Sequence, residues 1–371
     1  MPLARLEHAA LLAFAFVVPL LEAPKNLLWL AWLALWIANR ARSGNFGGRW
    51  DLWDTLAALL VASGYAAGGF SADWDIPKYA SVLVAMKRGG YSDRALLAAL
   101  LSLAAGTLAA LGWGYWSVFV AREHSALGLH SVGHVNHSAI YLAIVFGAAL
   151  MATRAWWRHA GAAWRLAGLA ACVIFGVSLI VMQSRAAVGA AFLVAALLLY
   201  AYSARMRHSF RLSALALAVV AALVLLAKPQ VVEKNQELIE QHLFLSYRDD
   251  IWRAGIESWR HAPWLGVGIG RYGEVSQASH GHSVYINTLV ERGALGLAAL
   301  LAFFAAWGWS LARALPREDS PPLLWAYWGG AAGAWLIAVM IGLVNTTLHH
   351  EHALASMLLL GGWLSLRARA R

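Results

Sequence analysis

The sequence predicts an all-α, polytopic membrane protein of about twelve membrane helices, with one long polar loop on the outer face. Composition is the first ground: of 371 residues, 61% are hydrophobic and only 13% charged, far from the balance of a soluble domain. The second is the recurrence of apolar runs of membrane length. The third is contrast, because Lys228–Gly296 is the only long polar stretch between such runs.

Taken in order, the candidate spans are 9–21, 26–38, 52–70, 77–87, 94–112, 138–153, 164–183, 186–203, 211–227, 284–311, 322–344 and 353–366. Arg5 and the run from Ala9 to Leu21 have the look of a signal peptide. The following Leu21-Glu22-Ala23-Pro24-Lys25 offers no small-residue cleavage site and leads into a second run, so we read an uncleaved helix and a hairpin. The chain thus divides into 1–227 with spans one to nine, 228–283 as an outer loop with amphipathic helices, and 284–371 with spans ten to twelve.

Basic residues orient the spans. One set of connections carries two or three each, as in Arg40, Arg42 and Arg49, or Arg154, Arg158 and Arg165. The alternate set carries one or none apart from the long loop, as with Lys25, Lys78 and Arg122. Both termini are therefore inside and Lys228–Gly281 outside. Basic residues scattered between apolar spans also account for the net charge of +10 without nucleic acid. The single Cys172 excludes an internal disulfide and a cysteine-based zinc site.

Three ionisable residues stand where apolar surroundings disfavour them. Arg185 follows Gln183-Ser184 in a hairpin with almost no loop, at or just inside the outer boundary. A snorkelling anchor competes with function there, but the small neighbours Ala186, Ala187 and Gly189 leave room for another group. Arg248 lies in a predicted helix over 246–261, opened by Ser246 with Asp249 as a capping box. It shares the apolar face of Trp252, Ile256 and Trp259, opposite the solvated Asp249, Arg253, Glu257 and Arg260. A cation on that side needs an anion, either a carboxylate or a substrate. His282 sits where the loop becomes span ten; a helix N-terminus disfavours imidazolium and leaves a neutral base. Ser283, Asn287 and Glu291 continue from it as a polar stripe at four-residue spacing.

Other motifs are weaker. Gly268-Ile269-Gly270-Arg271-Tyr272-Gly273 matches GxGxxG without a βαβ setting, and reads as a glycine-rich turn able to offer N–H groups to an anion. Asp73-Trp74-Asp75 reads as a loop cap, and His349-His350-Glu351-His352 as cavity wall or headgroup contact rather than a metal site. His130, His134, Asn136 and His137 enter span six from outside and are placed to line the same cavity.

Two arginines against lipid and a neutral histidine suit a particular reaction. Arginine binds diphosphate oxygens bidentately and stabilises charge on a leaving group. A neutral imidazole takes a proton from an attacking hydroxyl. The residues point to transfer of a group from a lipid diphosphate to a hydroxyl at the outer leaflet, and a transporter, which would carry paired charges near mid-membrane, fits less well.

His282-Ser283, nine residues, and Gly293-Ala294-Leu295-Gly296 resemble the H-[NSQ]-x9-G-x-x-[GTY] signature of bacterial O-antigen ligases. Ser184-Arg185 resembles the family's arginine motif, and Arg248–Gly270 the segment before its histidine, so the likeness covers residues 184–296. O-antigen polymerases and protein O-oligosaccharyltransferases share parts of it. The resemblance implies a GT-C-like glycosyltransferase in the Gram-negative inner membrane, working at the periplasmic face without metal or other cofactor. Its donor would be undecaprenyl-diphosphate-linked O-antigen and its acceptor lipid A–core. Arg185 and Arg248 would hold the diphosphate and His282 would activate the acceptor, with His280, Ser283, Asn287, Arg271, Trp252 and His137 as substrate-binding candidates.

Overall fold

A computed structural model describes residues 2–68, 75–182, 184–206, 248–276 and 278–369, and among them every regular element is helical. The helices are α1 (Pro2–Val17), α2 (Glu22–Ser43), α3 (Leu52–Gly68), α4 (Asp75–Arg88), α5 (Asp93–Tyr115, continued by a π-turn over Trp116–Val120), α6 (Val135–Trp156), α7 (Ala162–Val181) and α8 (Arg185–Met206). After the described chain resumes come α9 (Arg248–His261), the short α10 (Tyr272–Val275), α11 (Val284–Arg313), α12 (Pro322–Ile341) and α13 (His350–Arg369). The predicted span 211–227, the loop up to Tyr247 with its Ser246 cap, and Asp73-Trp74 lie outside the described residues.

Five of these helices are long and apolar enough to cross a membrane: α5 with its extension, α6, α7, α11 and α12. The protein is therefore a multi-pass membrane protein. Its outward surface agrees. On α7, Leu166, Leu169, Val173, Ile174 and Val177 are exposed, a patch that water would not tolerate and lipid would. Exposed Trp113 and Trp116 near one end of the bundle, and Trp157, Trp164 and Trp309 near the other, sit as headgroup-level belts do.

The core is built around α12, which packs on α6, α8 and α13, while α13 lies against α4. Small residues permit this closeness: a Cβ at Gly329 would run into Met151 of α6, and one at Gly330 into Leu359 of α13. The α1–α2 hairpin covers α5, and α3 covers α11. Near the start of α3, Asp54 takes a bidentate grip from Arg88 (Nε–Oδ1 2.8 Å, a terminal guanidinium nitrogen to Oδ2 2.7 Å), and Arg88 also donates to the Phe46, Gly48 and Arg49 carbonyls. Lys87 and Arg88 are thus fastened to Asp51 and Asp54 rather than free at the surface.

Candidate active site

The site is organised by a break in α11. Gly293 has φ 65° and ψ −168°, which interrupts the helix after two and a half turns. The break frees the carbonyls of Val290 and Glu291, which accept from Val267 N–H at 2.8 Å and Gly268 N–H at 3.1 Å. It also frees the N–H groups of Ala294 and Leu295, which donate to the carbonyls of Pro263 and Trp264 at 2.8 and 3.3 Å. The glycine-rich loop is thereby laced onto the kink. A Cβ at Gly266 would lie 2.5 Å from the Val290 carbonyl oxygen.

The glycine-rich turn does offer its N–H groups to an anion, and that anion is the protein's own Glu291. This buried carboxylate accepts from Gly270 N–H at 3.1 Å, Tyr272 N–H at 3.4 Å and the Asn287 amide at 2.9 Å. The Asn287 side-chain oxygen in turn accepts from Gly281 N–H at 2.9 Å. On the other side of the same residue, the Trp252 indole donates to the Gly281 carbonyl at 2.6 Å. Tyr272 donates to the Ile251 carbonyl at 3.0 Å, packed so closely on α9 that a Cβ at Gly255 would meet its hydroxyl.

These contacts present His282. Its φ of 45° is left-handed, a region histidine enters more readily than most residues. Gly281 before it is clamped by Trp252 and Asn287. Ser283 after it is buried, caps α11 by accepting from Ile286 N–H, and donates to the Gly342 carbonyl at 3.1 Å. Burial, followed by the charges of His280, Arg248 and His134, lowers the His282 pKa to about 4. The imidazole is therefore neutral over the physiological range. His280, 4.2 Å away between ring centroids, is also lowered, chiefly by burial.

A cavity of about 440 Å³ opens beside this pair, lined among others by His137, Gly270, His280, Asn287, Glu291, His349 and His350. His137 connects further: its Nδ1 lies 3.2 Å from Nε2 of the fully buried His352. Between His350 and His352 in the chain, Glu351 is buried and paired with Lys25, which is itself buried and 2.6 Å from Glu22.

Of the residues singled out in the sequence, His137, His280 and Asn287 line the cavity, and His282 stands against His280. Trp252 and Ser283 act on the backbone around His282 instead, with their polar atoms already engaged. Arg271 is exposed, paired with Glu274 at 2.7 Å, and does not line the cavity. Arg248 opens α9, half-buried, near enough for its charge to act on His282. Arg185 is the first residue of α8; its side chain lies outside the described residues. The solvated face of α9 is exposed at Asp249, Arg253, Glu257 and Arg260, as its periodicity predicts. Asp75, read with Asp73 and Trp74 as a loop cap, is the first residue of α4 and faces His349 and His350. Residues this far apart in sequence carry no local signal of their meeting.

Residues 170–301, from α7 through the kink of α11, match the family profile described as O-antigen ligase. This match supports a place in the O-antigen ligase/polymerase superfamily. No curated protein matches it significantly. The match supports ligase- or polymerase-type glycosyl transfer in general, and the family suggests lipid-linked glycan substrates and membrane embedding. The matched segment contains both halves of the arrangement above, the Trp252-bearing helix and the histidine–glycine span that it clamps.

Proposed function

We propose that this protein is an O-antigen ligase: an inverting, metal-independent, GT-C-like glycosyltransferase of about twelve spans in the Gram-negative inner membrane. Its termini are cytoplasmic and its active site periplasmic. It moves O-antigen polysaccharide from undecaprenyl diphosphate to a sugar hydroxyl of lipid A–core. The observation that carries this reading is a neutral His282, in a left-handed conformation clamped from both sides, next to the Arg248 charge and a polar cavity.

In this mechanism the His282 imidazole takes the acceptor hydroxyl proton. The hydroxyl oxygen forms the new bond to the anomeric carbon as the carbon–oxygen bond to the diphosphate breaks, with inversion. Arg185 and Arg248 hold the departing diphosphate and stabilise its growing charge. His280, Asn287 and His137 offer polar contacts to sugar along the cavity wall, and the left-handed backbone keeps the base aimed before substrate arrives.

The deciding experiment supplies purified protein with lipid-diphosphate-linked glycan, with and without lipid A–core. Product only with core supports the ligase; chain lengthening without core supports an O-antigen polymerase, and transfer to a protein would make it an O-oligosaccharyltransferase. Three further outcomes are expected. Activity persists in chelator, and its loss would bring a metal into the chemistry. Arg248→Lys restores only part of the turnover lost in Arg248→Ala, because an ammonium cannot fork onto two oxygens; full activity with lysine would argue against bidentate binding. Trp252→Phe, which deletes the donor to Gly281, lowers kcat by about tenfold with little change in KM, read from steady-state transfer kinetics.

A further inference from the structure

At the rim of the cavity, three side chains from two distant parts of the chain converge. Asp75 is the first residue of α4, His349 ends the connection between α12 and α13, and His350 opens α13. One ligand atom from each lies within 4.8 Å of the other two. His349 Nδ1 is 3.1 Å and His350 Nδ1 3.8 Å from Asp75 Oδ2. Bonds of about 2.0 Å to a tetrahedral ion put neighbouring ligand atoms roughly 3.3 Å apart, so these two separations bracket that value.

Local structure is spent on this arrangement. Adjacent side chains ordinarily diverge, but Leu348 and His350 both have left-handed backbones, at φ 54° and 48°, and the two imidazoles end 3.9 Å apart. His349 Nδ1 is buried, and although it faces Asp75 it makes no hydrogen bond. The other Asp75 oxygen, Oδ1, is held by Lys78 at 3.4 Å, and Oδ2 also accepts from His350 N–H at 3.2 Å. That is the pattern of an outer partner orienting a ligating carboxylate.

We propose that Asp75, His349 and His350 bind one divalent transition-metal ion, with Zn²⁺ the natural occupant of a two-nitrogen, one-oxygen set that hard Mg²⁺ and Ca²⁺ would refuse. His349 and His350 line the cavity, so the ion would sit in its wall. The ion ties the start of α4 to the α12–α13 turn and stiffens one cavity wall. This goes beyond the proposed glycosyl transfer and does not depend on it.

The test uses the full-length protein in detergent, stripped with chelator and titrated with Zn²⁺ by calorimetry, with metal content read after dialysis. One equivalent should bind. Asp75→Asn and His349→Ala should each weaken binding at least about tenfold, and His280→Ala, which removes a cavity histidine outside the triad, should leave it unchanged. Absence of stoichiometric binding in the wild type, equal binding by the His349→Ala/His350→Ala double variant, or loss in His280→Ala would each overturn the assignment. A measurement on the wild type guards against variants that fold poorly: Cu²⁺ in the site should show electron-spin coupling to two imidazole nitrogens, and coupling to none or one would refute it.

Discussion

His282→Ala is expected to abolish glycosyl transfer while leaving donor binding nearly intact. A positioned general base contributes about 10²- to 10⁴-fold, and His282 is the group whose backbone the surrounding loop is built to hold. The measurement is transfer to acceptor alongside binding of the lipid-diphosphate donor. Normal transfer in the variant would sink the base assignment, and loss of donor binding alone would make His282 a binding residue. The pH profile separates these further. A base works deprotonated, so the rate should hold as pH falls through the ordinary histidine range and collapse only toward pH 4, where His282 gains its proton. Arg248 is one of the charges that keep it low, after burial and His280. Arg248→Gln should therefore move the acid limb upward as well as slow the reaction. An acid limb near 6.5 in the wild type would mean that another group titrates.

How far the sequence could lead depended on the range of the interactions. Elements governed by local period were legible: the amphipathic face of α9 and the start of α11 at His282-Ser283, whereas the break at Gly293 falls inside a span read as continuous over 284–311. What the polar stripe was for was less legible. Asn287 and Glu291 look from sequence like residues free for substrate, yet much of their capacity is used on Gly270, Tyr272 and Gly281. A backbone donor has no sequence signature, so a carboxylate facing one cannot be told from a carboxylate facing ligand. Contacts across the bundle were invisible for a different reason. Lys25 and Lys78 count as outer basic residues in the topology, and only folding shows them buried beside Glu351 and Asp75. The cavity wall made by His349 and His350 depends on α13 packing against α4, which no local pattern encodes.

Gly293→Ala should be strongly damaging. At φ 65° and ψ −168° the backbone occupies a region essentially restricted to glycine, and a side chain there costs about 1–3 kcal/mol before any collision. The collision follows, because the new Cβ would lie 2.3 Å from the carbonyl of Trp264, which is backbone and cannot rotate away. The chain has two ways to respond. It can push the 263–268 loop off the kink, losing the four backbone bonds from Val267, Gly268, Ala294 and Leu295, each worth about 1 kcal/mol. Or it can straighten α11, which moves Glu291 away from Gly270 and Tyr272 and releases the loop that leads to His282. Either response reaches the base without touching it, so transfer should fall along with unfolding temperature in detergent. Gly112→Ala provides the contrast. Gly112 lies within α5 with no left-handed backbone, and a Cβ there would meet nothing within 4 Å, so it should cost less on both measures. Equal behaviour of the two variants would show that the signature's first glycine is not there for the kink.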